Sequence, residues 1–478
     1  MKKIKLYGLL VGGLLFLMSS CLGDGNRSNI DDWTMGNAQI AAFSLFSDSV
    51  KGLSVVNFTI DQLNSKIYNK DSMPYGTVLD KKVFCDLRWD NGTIGVLGVL
   101  FVSQATGDSV WWSSNADSID FSTPVTITVY PYDGVSTKVY EVKLNVHQID
   151  PDKMVWYKYA DLISGKISDN IKVIPYKGSY YMYILENGEY RLYESDKSEY
   201  NNWSEVLLSG FPDNAVISQL TEFEGDLYVV SEDGVLYCSD AEYNTAGGQS
   251  WSSVEGAPSI KSLLGCLPEN FVTGRVPVLS GIAVEDGTMS FVCLNKNKEW
   301  KTGSAVPEKF SVSGFGSFGY EAMYHPRLVV ATGRDLRDNL SNNVWSTMDG
   351  LSWILLSNSG TAYSPREGAA LFYYDNRFFL IGGIDGSGAA LKDIFYSKDQ
   401  GINWVRDEVS AEEDNEDSET EVSKIYIMPE EYAGRGFSSV IVDEKNNILL
   451  FGGKEGKDTN VLNEIWCGRI NRLAFGKE

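Results

Sequence analysis

Four arginines and one cysteine are the side chains whose type and placement point to binding chemistry. Arg334 and Arg337 share one long loop, while Arg366 and Arg435 each precede small residues and an apolar strand. A guanidinium presents its donors as a planar fork that fits a carboxylate. These four are therefore the candidates for contacting a carboxylate or a sugar. Cys21 follows Leu17, Met18, Ser19 and Ser20, behind a basic start (Lys2, Lys3, Lys5) and an apolar stretch from about Leu6 to Met18. That layout is a secretory signal, because a permanent spanning helix needs about 20 apolar residues.

Other chemistries are excluded by what the chain lacks. Only two histidines occur among 478 residues, His147 and His325. Zinc sites built on several histidines are out, and a histidine general base would have to be one of these two. No Gly-x-Ser-x-Gly elbow and no phosphate-binding loop is present. Beyond Cys21, five cysteines (Cys85, Cys238, Cys266, Cys293, Cys467) are scattered without metal or redox spacing, so buried free thiols are expected. The net charge of −23 disfavours nucleic acid and anionic lipid head groups as partners. The acidic run from Asp407 to Ser423 lacks the glycine-punctuated spacing of a calcium loop. No catalytic residue, cofactor or metal is assigned.

The run ending in Cys21 resembles the bacterial lipobox. The resemblance implies acylation of the Cys21 thiol and a lipid-anchored protein of the cell envelope, at the outer membrane, with the surface or periplasmic side left open. Gly23 to Asn29 read as a polar tether. The chain thus divides into a signal (1–20), a tether (21–35), a first domain (36–150) and a second domain (151–478).

The elements that must position the arginines are strands. In the first domain Val125, Ile127 and Val129 alternate with polar residues, as do Tyr140, Val142, Leu144 and Val146. Period-two alternation marks strands with one buried face. This last hairpin resembles that of the immunoglobulin-like modules of Bacteroidota lipoproteins, which implies a β-sandwich. Ile60, Leu63, Ile67 and Tyr68 follow helical spacing, which predicts a short helix at its edge.

In the second domain six tryptophans recur, Trp156, Trp203, Trp251, Trp300, Trp353 and Trp404, at gaps of 47, 48, 49, 53 and 51 residues. That period suits one four-stranded propeller blade. Hairpin signals fall at a fixed place in the repeat, at Asn187-Gly188, Asp233-Gly234 and Asp286-Gly287. Ser397-x-Asp399-x-Gly401-x-x-Trp404 resembles the Asp-box of sialidase-like propellers, with degenerate copies in earlier repeats. Gly382-Gly383 and Gly452-Gly453 resemble the double-glycine strand end of kelch repeats, and Arg366 and Arg435 resemble the kelch arginine, a structural residue in that family. Gly274-Arg275-Val276-Pro277 resembles the sialidase Arg-Ile-Pro signature, but it sits in the third repeat rather than the first.

The expected fold is all-β, a β-sandwich followed by a six-bladed propeller, with seven blades as the alternative. Met154 to Tyr157 should complete the C-terminal blade and close the ring. The long loops 333–343, 384–393 and 454–463, with the acidic insertion, should crowd one face of blades four to six. The whole resembles uncharacterised Bacteroidota lipoproteins with an immunoglobulin-like module and a kelch-like propeller, a resemblance that carries no activity. Three functions follow as expectations: a membrane-anchored binding or scaffold protein using the loop face, a glycan-binding accessory protein of a polysaccharide uptake system, or a degenerate sialidase-like glycoside hydrolase.

Overall fold

The computed structural model describes residues 36–79, 83–89, 96–112, 118–163, 167, 171–239, 248–357, 362–406, 425–457 and 461–474. Cys21, its signal and tether, and the acidic insertion 407–423 lie outside the described residues. The chain falls into two compact units, Met1–Asp150 and Pro151–Glu478.

The first unit has a two-stranded sheet, Ile40–Phe46 with Phe84–Trp89, and a six-stranded sheet built from Phe58–Asp61, Lys66–Asn69, Lys138–Lys143, Val125–Tyr130, Gly98–Ser103 and Ser109–Trp111 in that order. Both sheets feed one core, in which Phe43, Leu87, Phe101, Ile127 and Tyr140 are buried. The Tyr140 hydroxyl accepts from the Ile40 amide (3.1 Å) and donates to Gln62 Oε1 (2.7 Å). A buried phenol is thereby satisfied while it ties one sheet to the other.

The helix expected around Ile60 to Tyr68 is a hairpin instead. Phe58–Asp61 pairs antiparallel with Lys66–Asn69. The Asp61 carboxylate accepts from the amides of Leu63 and Asn64, at 3.1 and 3.0 Å, and Ser65 turns through a φ of 55°. This local bond offers the backbone a turn in place of a helix. Leu63, counted on the apolar face, is 95% exposed at the tip.

The second unit is a β-propeller. Among the described residues six sheets follow in chain order, each built on up-and-down antiparallel strands, the blade-one sheet also taking Gly248–Ser250 parallel to its Ser204–Ser209. Blade one starts with Ile171–Tyr176, blade two with Thr221–Phe223, blade three with Ile260–Leu267, blade four with Gly316–Ala322, blade five with Ala370–Tyr374 and blade six with Ser439–Val442. The fourth strand of blade six is Met154–Ala160, paired antiparallel with Ile465–Ile470 so that Met154 faces Ile470 and Trp156 faces Gly468.

Burial explains the sequence pattern. Inner strands are apolar on both faces because each lies between two neighbouring blades. Arg377–Asp385 is buried at seven consecutive positions, Phe378 to Ile384. Outer strands such as Trp300–Ala305 are mostly exposed. Each pair of adjacent blades shares its own core, and the ring has no gap: Val173, Met182 and Ile184 of blade one pack with Leu449, Phe451 and Ile465 of blade six. Burial on this scale, at about 25 cal/mol per Å² of apolar surface, is what holds the blades together.

Candidate functional site

The up-and-down topology puts the loops between second and third strands, and those between blades, on one face. Blades one and three make this turn tightly. Asn187-Gly188 and Asp286-Gly287 both have φ > 0 at the two central residues, at 53° and 86° and at 48° and 76°, the geometry of a type I′ hairpin. Blades four and six carry long loops instead, whereas in blade five the expected loop 384–393 is mostly strand, Ile384 pairing with Ala390 so that only residues 386–389 turn. The four candidate arginines fall on this face of blades four to six.

The arginines face inward. Arg366 is 1% exposed. It donates to Asp393 Oδ1 and Oδ2 (2.6 and 3.2 Å), to the carbonyls of Gly382 and Ser364 (3.0 Å each) and to Ser364 Oγ (3.0 Å). Arg435 is 2% exposed and repeats the pattern one blade on. It donates to Glu464 Oε2 (2.9 Å), the Gly452 carbonyl (3.2 Å) and the Ala433 carbonyl (3.1 Å), with its guanidinium 4.3 Å above the Tyr432 ring. Burial acts to raise the Glu464 pKa, but hydrogen bonds from Trp466 and Arg435 outweigh it and hold the carboxyl below its usual range. Both guanidinium groups are consumed inside the molecule and offer a ligand nothing. They are structural braces.

The double glycines serve these braces. Gly382 has φ +63°, and a Cβ there would lie 2.5 Å from the Arg435 carbonyl oxygen. Its bare backbone lets Arg366 reach the Gly382 carbonyl while the next residue, Gly383, donates its amide to the Arg435 carbonyl (2.9 Å).

Arg334 braces a loop from outside. It binds both carboxylate oxygens of Glu367 at 2.7 Å and the Asp338 carbonyl at 3.0 Å. These contacts hold its pKa above the usual arginine value, the Glu367 bond contributing most. Arg337 is the exposed member of the four, with 71% of its side chain in water and an ion pair to Glu308. Backbone bonds join neighbouring loops: Gly333 donates to the Arg366 carbonyl (2.7 Å), and Ala389 bridges to Gly456.

The Asp-box lies on the opposite face, at the turn between third and fourth strands. Asp399 Oδ1 accepts from the Asn403 amide (2.9 Å) and from Ser397 Oγ (2.8 Å), and the Gly401 amide reaches Ser397 Oγ (2.9 Å). Trp404, 5% exposed, donates to the Gly401 carbonyl at 3.1 Å. The third repeat keeps the device in another form, since Asn295 Oδ1 accepts from the amides of Asn297 and Glu299. Arg275 is also on this far face, donating to the Pro268 carbonyl (2.7 Å). It clamps its own loop. His325 opens the second strand of blade four, with Nδ1 3.2 Å from Asn270 Nδ2.

Inside the ring the first strands of all six blades wall a channel of about 430 Å³. Its described lining is apolar or neutral polar except for Lys172 and the Cys266 thiol. Lys172 is the second residue of the blade-one strand, so it stands near the mouth on the long-loop face. Its Nζ donates to the Ser218 carbonyl of blade two at 3.3 Å. Burial pulls its pKa down from the ordinary 10.5 to about 8. Cys266 donates to the Glu222 carbonyl (3.0 Å), and burial pushes its thiol up to about 12. Among the described residues no group of three or more histidine, cysteine or acidic side chains is placed to hold a metal.

Residues 150–478 match the family model described as the DUF6242 beta propeller domain, and residues 35–144 match that of the DUF6242 N-terminal domain, a domain of unknown function. The chain belongs to the DUF6242 family. No curated protein matches it. The solved structure titled "Structure of YjhT" is similar at 12% identity, over 64% of this chain and 95% of that one, with a TM-score of 0.42.

In this DUF6242 propeller the four arginines singled out by sequence come together on one face, but three of them act as braces and Arg337 alone of the four is exposed. Lys172 was not singled out. A lysine inside the run Ile171-Lys172-Val173-Ile174 reads as the solvent-facing position of an alternating strand. Only the inner place of that strand in the ring turns it toward a channel. The signal was a lone cation in a strand that opens a blade.

Proposed function

We propose that this chain is a lipid-anchored binding protein of the cell envelope that holds a protein partner on the long-loop face of blades four to six. Cys21 supplies the anchor, and the N-terminal unit, immunoglobulin-like in this reading, spaces the propeller from the membrane. The observation that carries the proposal is the bracing of that face. Loops of three successive blades are fastened to one another by Arg334–Glu367, by Gly333 to Arg366 and by the Ala389–Gly456 bridge. A loop surface fixed before binding loses less entropy on association, and elaborated loops on a rigid scaffold are where recognition usually sits.

A protein partner is preferred over a glycan on one observation. Loops 333–343, 384–393 and 454–463 contain no aromatic residue, so these three loops offer no ring on which a sugar would stack. Phe271 and Tyr324, 87% and 81% exposed, belong to turns between first and second strands and so to the far face. Most glycosidases use a pair of carboxylates at the reacting bond, and sialidases a tyrosine nucleophile; the described channel lining holds neither a carboxylate nor a tyrosine.

The test is cross-linked capture from the native membrane, comparing the unaltered chain with Cys21→Ala and with Arg337→Glu plus Ser387→Tyr. A stoichiometric partner that is lost with the loop variant supports the reading. A partner retained by the loop variant, or none at all, rejects it. Release of Cys21→Ala from the membrane fraction is expected if Cys21 carries the lipid.

A further inference from the structure

Among the described residues Lys172 is a cation without an anion. An ammonium has three donors, and the structure gives one of them an acceptor, the Ser218 carbonyl. No other charged residue is among the described lining of the channel. Burial alone displaces its pKa, with no carboxylate acting on it. Two carboxylates of the long-loop face are already engaged: Glu367 holds Arg334 and Glu464 holds Arg435. Cys266 stays a neutral thiol near pH 7 and so supplies no counter-charge. In a chain with 64 acidic and 41 basic residues, a half-buried lysine in a walled channel with no carboxylate beside it among the described residues is a departure.

The surroundings define what would pair with it. Leu263, Leu264, Leu328 and Leu371 supply apolar wall, and Thr221 and Ser317 supply hydroxyls. The volume of about 430 Å³ lies within the range typical of small-molecule pockets, about 300 to 1,000 Å³. One cation matches one negative charge. A phosphate dianion would enter with more charge than the site can satisfy, and phosphate sites ordinarily offer several donors or an arginine fork.

We infer that the mouth of the channel binds a small organic monocarboxylate, with its carboxylate on Lys172 and its body along the channel wall. The site is separate from the loop surface proposed above, and the two readings fail independently. Association forms a charge-assisted hydrogen bond from Nζ to the carboxylate oxygen. It needs the protonated lysine, so affinity falls as pH rises past the lysine pKa. Of the described lining groups only Lys172 and Cys266 titrate, and the thiol is neutral through that range.

The test is calorimetric titration of the full-length chain with hexanoate and galacturonate, their neutral counterparts hexanamide and galactose, and inorganic phosphate. The expected result is one-to-one binding of at least one carboxylate at pH 7. Its affinity should exceed that of its neutral counterpart at least tenfold, and fall at least tenfold in Lys172→Met and at pH 9.5. Lys172→Arg should bind equally at both pH values, because arginine keeps its charge. Cooperative melting of Lys172→Met shows that a loss is not a loss of fold. The inference is overturned if neither carboxylate binds better than its neutral counterpart, if Lys172→Met binds as well as the unaltered chain, or if phosphate binds more tightly than both. The Arg337→Glu, Ser387→Tyr loop variant is expected to leave the titration unchanged.

Discussion

Arg366 and Arg435 make the same set of contacts one blade apart. Each takes the carbonyl two residues before it, the carbonyl of the first glycine in a double-glycine pair, and an acidic side chain within the third strand (Asp393) or immediately before it (Glu464). Each also lies over a tyrosine three residues earlier, Tyr363 or Tyr432. Removing one partner of such a buried pair strands the other charge, at a cost of about 3–5 kcal/mol. Arg366→Met should therefore lower the urea unfolding midpoint strongly. Arg435→Met should do so less, because the Glu464 side chain is 25% exposed against 11% for Asp393. Arg337→Met, at an exposed position, should stay within about 0.5 kcal/mol of the unaltered protein. If all three substitutions cost the same, the braces are not what the geometry says they are.

Ring closure makes a second prediction. Gly468 faces Trp156 across the junction between the two chain ends of the propeller. A Cβ at Gly468 would lie 2.4 to 2.6 Å from three atoms of the indole ring. Gly468→Ala should destabilise by about 1–3 kcal/mol through overpacking. Adding Trp156→Leu should recover part of that loss, since the second change removes the colliding ring. A double-mutant cycle in urea reads the coupling. Strict additivity would show that the pair does not meet in solution.

The propeller was legible because its markers are local. The Asp399 to Trp404 turn and the double glycines each lie within a few residues and are fixed by backbone geometry, and the tryptophan recurs once per repeat. What the arginines do was harder to read, because their acceptors, Asp393 and Glu464, are 27 and 29 residues away in sequence. Nothing in a single sequence pairs them. The segment from Ile60 to Tyr68 misled for the opposite reason: its apolar spacing fits a helix, while one carboxylate, Asp61, decides for a turn. Lys172 was invisible because its surroundings come from six blades.

The Asp-box turn is a structural device, so its carboxylate should report as stability against acid. Burial acts to raise the Asp399 pKa, but hydrogen bonds from Asn403 and Ser397 outweigh it and hold the carboxyl below its ordinary 3.8. A depressed carboxyl contributes stability that is present above 3.8 and lost as pH falls through the folded value. Asp399→Ala should cost about 1–3 kcal/mol at pH 7, because the amide of Asn403 loses its acceptor. The gap between the two proteins should narrow below pH 3.8. Urea midpoints at pH 7 and pH 3 check this, and a gap independent of pH would put the effect in packing instead.

Lys172 carries the opposite sign. Its folded pKa is about 8 against an ordinary 10.5, so the folded protein resists holding this proton. Below pH 8 the lysine is charged in both states and the folded state bears the whole penalty. Between pH 8 and 10.5 the unfolded chain binds more protons than the folded one, and stability rises with pH. Lys172→Met removes the charge while keeping an unbranched side chain in the channel. It should stabilise the protein at pH 7 by about 1–2 kcal/mol, less than the full shift would imply because water in the channel still reaches the ammonium. At pH 10 the advantage should have largely gone. A saturating monocarboxylate should close the same gap at pH 7, by stabilising the unaltered protein and leaving Lys172→Met where it was. Thermal melts of both proteins at pH 7 and pH 10, with and without the ligand, separate these outcomes. If the two proteins melt alike at pH 7, the ammonium is already solvated or paired, and the channel has no charge waiting for a partner.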